Sequence, residues 1–88
     1  VSAEVAESMA SGAKRELHTA WGVSFTGVAG PDALEGHPAG TVFIGIAAPD
    51  GTVAATKFGF NGDRQHVRDQ SVATAFDLLA DKIKQIEN

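Results

Sequence analysis

The residues best suited to binding a ligand lie between Thr26 and Pro31, after an apolar run that ends at Phe25. An apolar run that stops on Thr-Gly predicts a strand whose end opens into a loop. The amides of Gly27 and Gly30 could form an anion-binding concavity, and the Thr26 hydroxyl can both donate and accept. Ligands of open α/β sheets bind outside strand ends, so this stretch is a candidate site. A plain turn set by Pro31 is the alternative.

A second candidate site is the segment 61–64, Asn-Gly-Asp-Arg, which follows a strand end and begins a helix. Helix N-termini attract anions through their free amides and the macrodipole. Arg64 adds a planar guanidinium suited to phosphate or carboxylate, although a basic residue in the first turn disfavours the helix itself. The pattern predicts anion binding at Asp63 and Arg64, with a surface ion pair from Arg64 to Asp63 or Glu35 as the alternative. Arg68, one turn later, lies on the same side and could assist, although we expect a solvated role for it.

Other kinds of catalytic chemistry have little support in the sequence. The three histidines, His18, His37 and His66, lack metal-ligand spacing, so we expect neither a metal site nor a cofactor. Ser24, Asp63 and His66 have the residue types of a hydrolytic triad, but no nucleophile-elbow pattern surrounds Ser24. The 88 residues therefore offer no nucleophile with a base beside it.

The composition limits the class of protein. A chain of 88 residues allows one domain. Its net charge of −4 argues against a nucleic-acid partner. The absence of cysteine excludes a disulfide scaffold and is compatible with a reducing compartment. No apolar run approaches the roughly 20 residues of a membrane span, and no secretory signal is visible. We therefore predict a cytoplasmic protein without a membrane partner.

A helix from Ser2 to about His18 precedes the first candidate site. Ser2 is a good N-cap, because its hydroxyl oxygen can accept from a free amide of the first turn. Apolar residues recur along one side of this segment, and they are Val5, Ala6, Met9, Ala10, Ala13 and Leu17. We expect Met9 to fill the core.

Three strands are predicted between the two helices. A short strand over Val23–Thr26 leads into the long loop Gly27–Gly40, which is either functional or a surface excursion. The segment Thr41–Ala48 has no polar face and should be a central strand covered on both sides. Pro49–Gly51 has the composition of a tight turn. It joins the central strand to Thr52–Phe60, which we expect near an edge.

The last helix should run from about Arg64 to Glu87, with Asn61 or Asp63 as its N-cap. Its apolar stripe comprises Val72, Ala75, Phe76, Leu79, Ile83 and Ile86. The order of elements is then helix, strand, hairpin and helix, which predicts an α/β fold. Residues 1–88 form a single unit without repeats or linkers.

Four motifs in this order resemble the CinA C-terminal domain family. They read V-S-x-E-V-A-E-x-M-A-x-G, S-F-T-G-V-A-G-P, H-P-A-G-T-V-F-I-G-I-A, and G-D-R before a long helix. The resemblance extends from Val1 to about Ile83 and covers the second half of the family domain. The family's first half carries an E-S-C-T-G-G-type segment whose serine is the proposed nucleophile, and these 88 residues lack that segment. We therefore expect residues 1–88 to be a partial domain.

The resemblance implies a three-layer α/β/α fold with a mixed sheet. It also implies the activity of the nicotinamide-mononucleotide deamidases, which hydrolyse the carboxamide to nicotinic acid mononucleotide and ammonia. Thr26, Gly27 and Gly30 match the family's T-G-x-x-G-P loop, and Asp63 and Arg64 match its G-D-R. We expect a catalytic role for Thr26, which with the loop amides would hold the substrate or an oxyanion. Arg64 would hold the phosphate or an acidic partner.

The loop departs from the family pattern at Asp32–Gly36, where glycines are usual, and at His37, where the family often has Lys. If that Lys touches the substrate, binding here is weaker or different. Because two helices cover the strand Thr41–Ala48 only in part, we expect the domain's N-terminal half or a second copy as partner. Val1 in place of Met suggests a preceding segment. The alternative is a non-catalytic nucleotide- or anion-binding or assembly module, and a third possibility is a structural fragment.

Overall fold

A computed structural model describes residues 2–27 and 38–87. Its elements are α1 (Ala3–Leu17), β1 (Gly22–Gly27), β2 (Thr41–Ala47), β3 (Val53–Gly59) and α2 (Arg64–Glu87). The predicted α/β class and element order are confirmed. Ser2 caps α1, since its Oγ accepts from the Val5 amide at 3.2 Å. None of the helices in this part of the chain is long and apolar enough to cross a membrane.

The three strands form one sheet in which β2 lies between β1 and β3. β2 is buried at every position, which confirms the predicted central strand, and β3 is more exposed and lies at an edge. Both pairings are antiparallel. These three strands do not form the mixed sheet that the resemblance implies, which would need a parallel strand from outside the described residues.

Helix α1 packs closely on one face of the sheet through small residues. Ala6 and Ala10 are fully buried, and the Ser24 Oγ donates a hydrogen bond to the Ala6 carbonyl oxygen at 2.6 Å. A side chain at Gly45 would collide with that same oxygen. The absence of side-chain bulk at these positions is what lets the helix backbone approach β1 and β2.

The larger apolar residues of α1 do not lie in this contact. Met9 is 46% exposed and Leu17 is 70% exposed, so the prediction that Met9 fills the core is wrong. Periodicity placed these residues near the alanines, but a helix that docks through alanine leaves its bulkier side chains on its flank. The helix is also tied to the end of β2, because the Lys14 Nζ donates to the Ala48 carbonyl oxygen at 2.7 Å.

Helix α2 covers the opposite face, which completes the three-layer α/β/α arrangement. Val42 and Ile44 of β2 form a core cluster with Val67 and Ala75 of α2. The predicted stripe of α2 is covered only in part, because Phe76 remains 69% exposed. This face of the sheet is therefore more open than the face beneath α1.

Candidate functional site

A groove of about 560 Å³ lies between the sheet and the first turns of α2. We call it the α2 groove. Its lining residues are Phe25, Gly27, Val42, Arg64, Val67, Arg68, Ser71 and Val72. Residues from β1, β2 and α2 meet here because the face of β1 and β2 that carries Phe25 and Val42 is the face that α2 covers.

The walls of the α2 groove are mostly apolar, and Phe25 supplies an aromatic ring that is 41% exposed. The Ser71 hydroxyl is engaged within the helix, since its Oγ donates a hydrogen bond to the Val67 carbonyl oxygen at 2.7 Å. No carboxylate belongs to the lining formed by the described residues. The charge of the groove therefore comes from the guanidinium groups of Arg64 and Arg68.

The start of α2 shows how Arg64 is positioned. Asp63 is the N-cap, because its Oδ1 accepts from the His66 amide at 2.9 Å, and this settles the choice between Asn61 and Asp63. Gly62 has a φ of 113°, a conformation that favours glycine. Arg64 is then the first residue of the helix. Within residues 2–27 and 38–87, no side chain pairs with its guanidinium, so the ion pair with Asp63 is not formed. Glu35 lies outside those residues.

The structure brings only part of the predicted site together. Gly27 and Arg64 line the same groove. Asp63 instead lines a neighbouring depression with Gly62, Gln65, His66 and Asp69. Gly30 lies outside the described residues.

Thr26 lies on the other face of the sheet from the α2 groove. Successive side chains of a strand point to opposite faces. Ser24 reaches α1, so Thr26 shares the α1 face, whereas Phe25 faces α2. Gly27 has a structural reason to be glycine, because a Cβ there would lie 2.6 Å from the Thr41 carbonyl oxygen. Its glycine identity is therefore no argument for ligand binding.

Sequence reasoning did not anticipate the full lining of the groove. Arg68, for which a solvated role was expected, is exposed but also lines the groove beside Arg64. Its spacing of four residues from Arg64 had indicated the same side of the helix, from which it could assist. Phe25 was not among the predicted site residues. Among the described residues, no group of three or more His, Cys, Asp or Glu could hold a metal ion.

Comparison with known proteins gives a consistent family. The sequence pattern of the CinA C-terminal domain matches residues 1–83. A competence-damage inducible protein of Lactiplantibacillus plantarum is 54% identical over 79 residues, which are 90% of this chain and 19% of that protein. The corresponding protein of Oceanobacillus iheyensis is 44% identical over 84 residues, which are 96% of this chain and 20% of that protein. The chain thus spans about a fifth of the length of these relatives.

Solved structures agree with the fold. A CinA superfamily protein from Enterobacter cloacae superposes with a TM-score of 0.87 at 28% identity, over 93% of this chain and 48% of that one. A CinA superfamily protein from Escherichia coli gives a TM-score of 0.83 at 33% identity, over 91% of this chain and 46% of that one. The chain thus spans about half the length of the solved structures it matches.

Proposed function

Because the chain belongs to the CinA C-terminal domain family, we propose that it is the substrate-binding half of a nicotinamide-nucleotide amidohydrolase. In this reaction the oxygen of water bonds to the carboxamide carbon of nicotinamide mononucleotide, and the carbon–nitrogen bond breaks. The products are nicotinic acid mononucleotide and ammonia. The choice of substrate rests on the motif resemblance, and the shape and charge of the α2 groove support it.

The observation that carries the proposal is the juxtaposition of Arg64 and Phe25 in one groove. A mononucleotide presents a phosphate and a planar base. A guanidinium suits the phosphate, and an aromatic face can stack on the base. The groove volume of about 560 Å³ falls within the roughly 300–1,000 Å³ of ligand sites. We assign the phosphate to Arg64 and the base to the wall formed by Phe25.

The catalytic role of Thr26 stays a prediction. Its hydroxyl lies on the α1 face, so it would reach a substrate in the α2 groove only around the end of β1. The 88 residues also lack the E-S-C-T-G-G-type segment of the family. We therefore propose that another part of the domain supplies the nucleophile and that these residues alone are inactive.

We further propose that the N-terminal half of the family domain covers the apolar surface around Phe76, beside the α2 groove. This side chain is 69% exposed. The chain covers only 48% of the Enterobacter cloacae structure that it matches, so a comparable length of polypeptide is available in such proteins to cover this surface. A second copy of the chain is the competing occupant, and sedimentation of the intact protein distinguishes the two.

The test is a deamidation assay on the intact protein that carries these residues. Ammonia and nicotinic acid mononucleotide should appear in equal amounts from nicotinamide mononucleotide. Arg64→Gln should raise KM roughly 10- to 100-fold, the range of a charged hydrogen bond. Arg15→Gln removes the same charge from α1 and should leave KM unchanged. An intact protein without turnover would contradict the amidohydrolase proposal.

A non-catalytic nucleotide- or anion-binding or assembly module is the second candidate. It is favoured by one observation, the α2 groove lined by Arg64 and Arg68, which suits a bound anion whether or not a reaction follows. Under this alternative the intact protein would bind the mononucleotide without releasing ammonia. Calorimetry and the ammonia assay on the same preparation separate the two functions.

A further inference from the structure

We propose that Arg68 is a second phosphate-binding residue, and that Arg64 and Arg68 together form a clamp that selects a phosphate monoester over the corresponding nucleoside. The identity of the nucleotide rests on the proposed function. The phosphate specificity does not, because it follows from the lining of the α2 groove.

The first argument is geometric. Arg64 and Arg68 are four residues apart on α2 and line the same groove. Residues with this spacing are neighbours on the helix surface, with Cβ atoms about 5–6 Å apart. Two guanidinium groups on such stems can approach one phosphate from two sides, and each can donate two parallel hydrogen bonds.

The second argument is electrostatic. Like charges four residues apart destabilise a helix, and positive charges near its N-terminus oppose the dipole. The nearby carboxylates are engaged elsewhere, since Asp63 caps the helix and the Asp69 Oδ1 accepts from the Gln65 Nε2 at 2.9 Å. Among the described residues, no side chain pairs with either arginine. A bound anion would relieve both unfavourable interactions.

The third argument is the match of charge. A phosphate monoester carries about −1.5 to −2 charges at pH 7, which two guanidinium groups neutralise and one does not. A nucleoside offers no comparable charge to the pair. The remaining walls of the groove are mostly apolar, so loss of the phosphate would remove most of the polar recognition.

The test uses calorimetry on the intact protein with three probes: inorganic phosphate, nicotinamide mononucleotide and nicotinamide riboside. Arg68→Gln should weaken phosphate and mononucleotide binding roughly 10- to 100-fold and should not weaken riboside binding, because the riboside has a cationic pyridinium and no phosphate. Arg68→Lys should retain part of the affinity, because Lys provides a point charge but no fork. Arg15→Gln is the matched control and should bind all three probes like the wild type.

The outcomes separate the clamp from the enzyme. The clamp would be overturned if Arg68→Gln bound phosphate and the mononucleotide as tightly as Arg15→Gln does. This holds even if the intact protein deamidates the mononucleotide. Absence of phosphate binding to the wild type would overturn it as well. Loss of phosphate binding in both Arg64→Gln and Arg68→Gln, in a protein without turnover, would support the clamp while the amidohydrolase proposal fails. Thermal melts establish whether each variant folds. If Arg68→Gln does not fold, the binding measurements are made on Arg68→Lys instead.

Discussion

The two faces of the sheet are built differently. Beneath α1, buried alanines and Gly45 bring two backbones together, and Ser24 joins them with a hydrogen bond. Beneath α2, the helix contacts the sheet through Val67 and Ala75, while Phe25 and Phe76 remain partly exposed. The first face leaves no space for a ligand between helix and sheet, and the second contains the α2 groove.

The difference separates stability from binding. A face closed by backbone contact tolerates no added volume, because protein interiors are close-packed. A face that a few large side chains hold apart from its helix can accept a ligand or a substitution with a smaller loss in the free energy of unfolding. Substitutions beneath α1 should therefore affect unfolding, whereas those beneath α2 should affect ligand or partner binding.

The largest expected effect is that of Gly45→Val. The new side chain would collide with the Ala6 carbonyl oxygen and the Ser24 Oγ, so α1 must move away from the sheet. We expect a loss of about 3 kcal/mol in the free energy of unfolding, the upper range for overpacking. Urea denaturation measures it. Gly59→Val is the matched control, since a Cβ at Gly59 meets nothing within 4 Å, and equal losses would contradict the closed contact.

A smaller effect is expected when the open face is tested through Phe76. If a partner segment covers this ring, Phe76→Ser should destabilise the intact protein by about 2 kcal/mol, the value of burying such a side chain. Leu17 is exposed to the same degree, 70% against 69%, but lies on α1. Leu17→Ser should change stability by less than about 0.5 kcal/mol. Similar results for both variants in thermal melts would remove the distinction between the two surfaces.

The smallest effect concerns the turn after β2. Hydrogen bonds from the Thr52 hydroxyl at 2.6 Å and the Thr52 amide at 3.0 Å lower the pKa of Asp50 below its usual 3.8. The carboxylate therefore contributes stability above pH 3.8, and this contribution is lost as the pH falls through the lower pKa of the folded state. The difference in the free energy of unfolding between wild type and Asp50→Asn should therefore shrink as the pH falls.

Urea midpoints between about pH 2 and pH 7 measure this difference across the range in which carboxyl groups titrate. Thr52→Val removes the hydroxyl and should reduce the same acid dependence. A difference between wild type and Asp50→Asn that stays constant with pH would show that the hydrogen bonds of Asp50 do not act through its charge.

The fold was predictable because local signals agreed with one another. Ser2 had the chemistry of a cap, and its cap is present. The uninterrupted apolar run of β2 indicated burial on both faces, and every one of its residues is buried. Met9 was misplaced because periodicity identifies the apolar side of a helix but not which of its residues make the contact. That choice depends on how closely the helix can approach, which Gly45 determines from another element.

The candidate site was less predictable, because it depends on which helix covers which face. Alternation alone placed Thr26 and Phe25 on opposite faces of β1. Nothing local to β1 indicated that α2 would cover the face of Phe25, so Thr26 and Arg64 were expected in one site. Arg68 belonged to the groove for the same nonlocal reason. The register of β1 with β2 determines which side chains of β1 lie on the face that α2 covers. This register forms only when segments distant in the sequence pair.

The edge position of β3 has a consequence for self-association. Within the described residues no strand pairs with its outer side, and such an edge is a template for uncontrolled pairing between chains. Lys57 lies near the middle of β3 and is exposed, and a charged side chain there resists the addition of another strand. Neighbouring molecules are therefore discouraged from extending the sheet through β3.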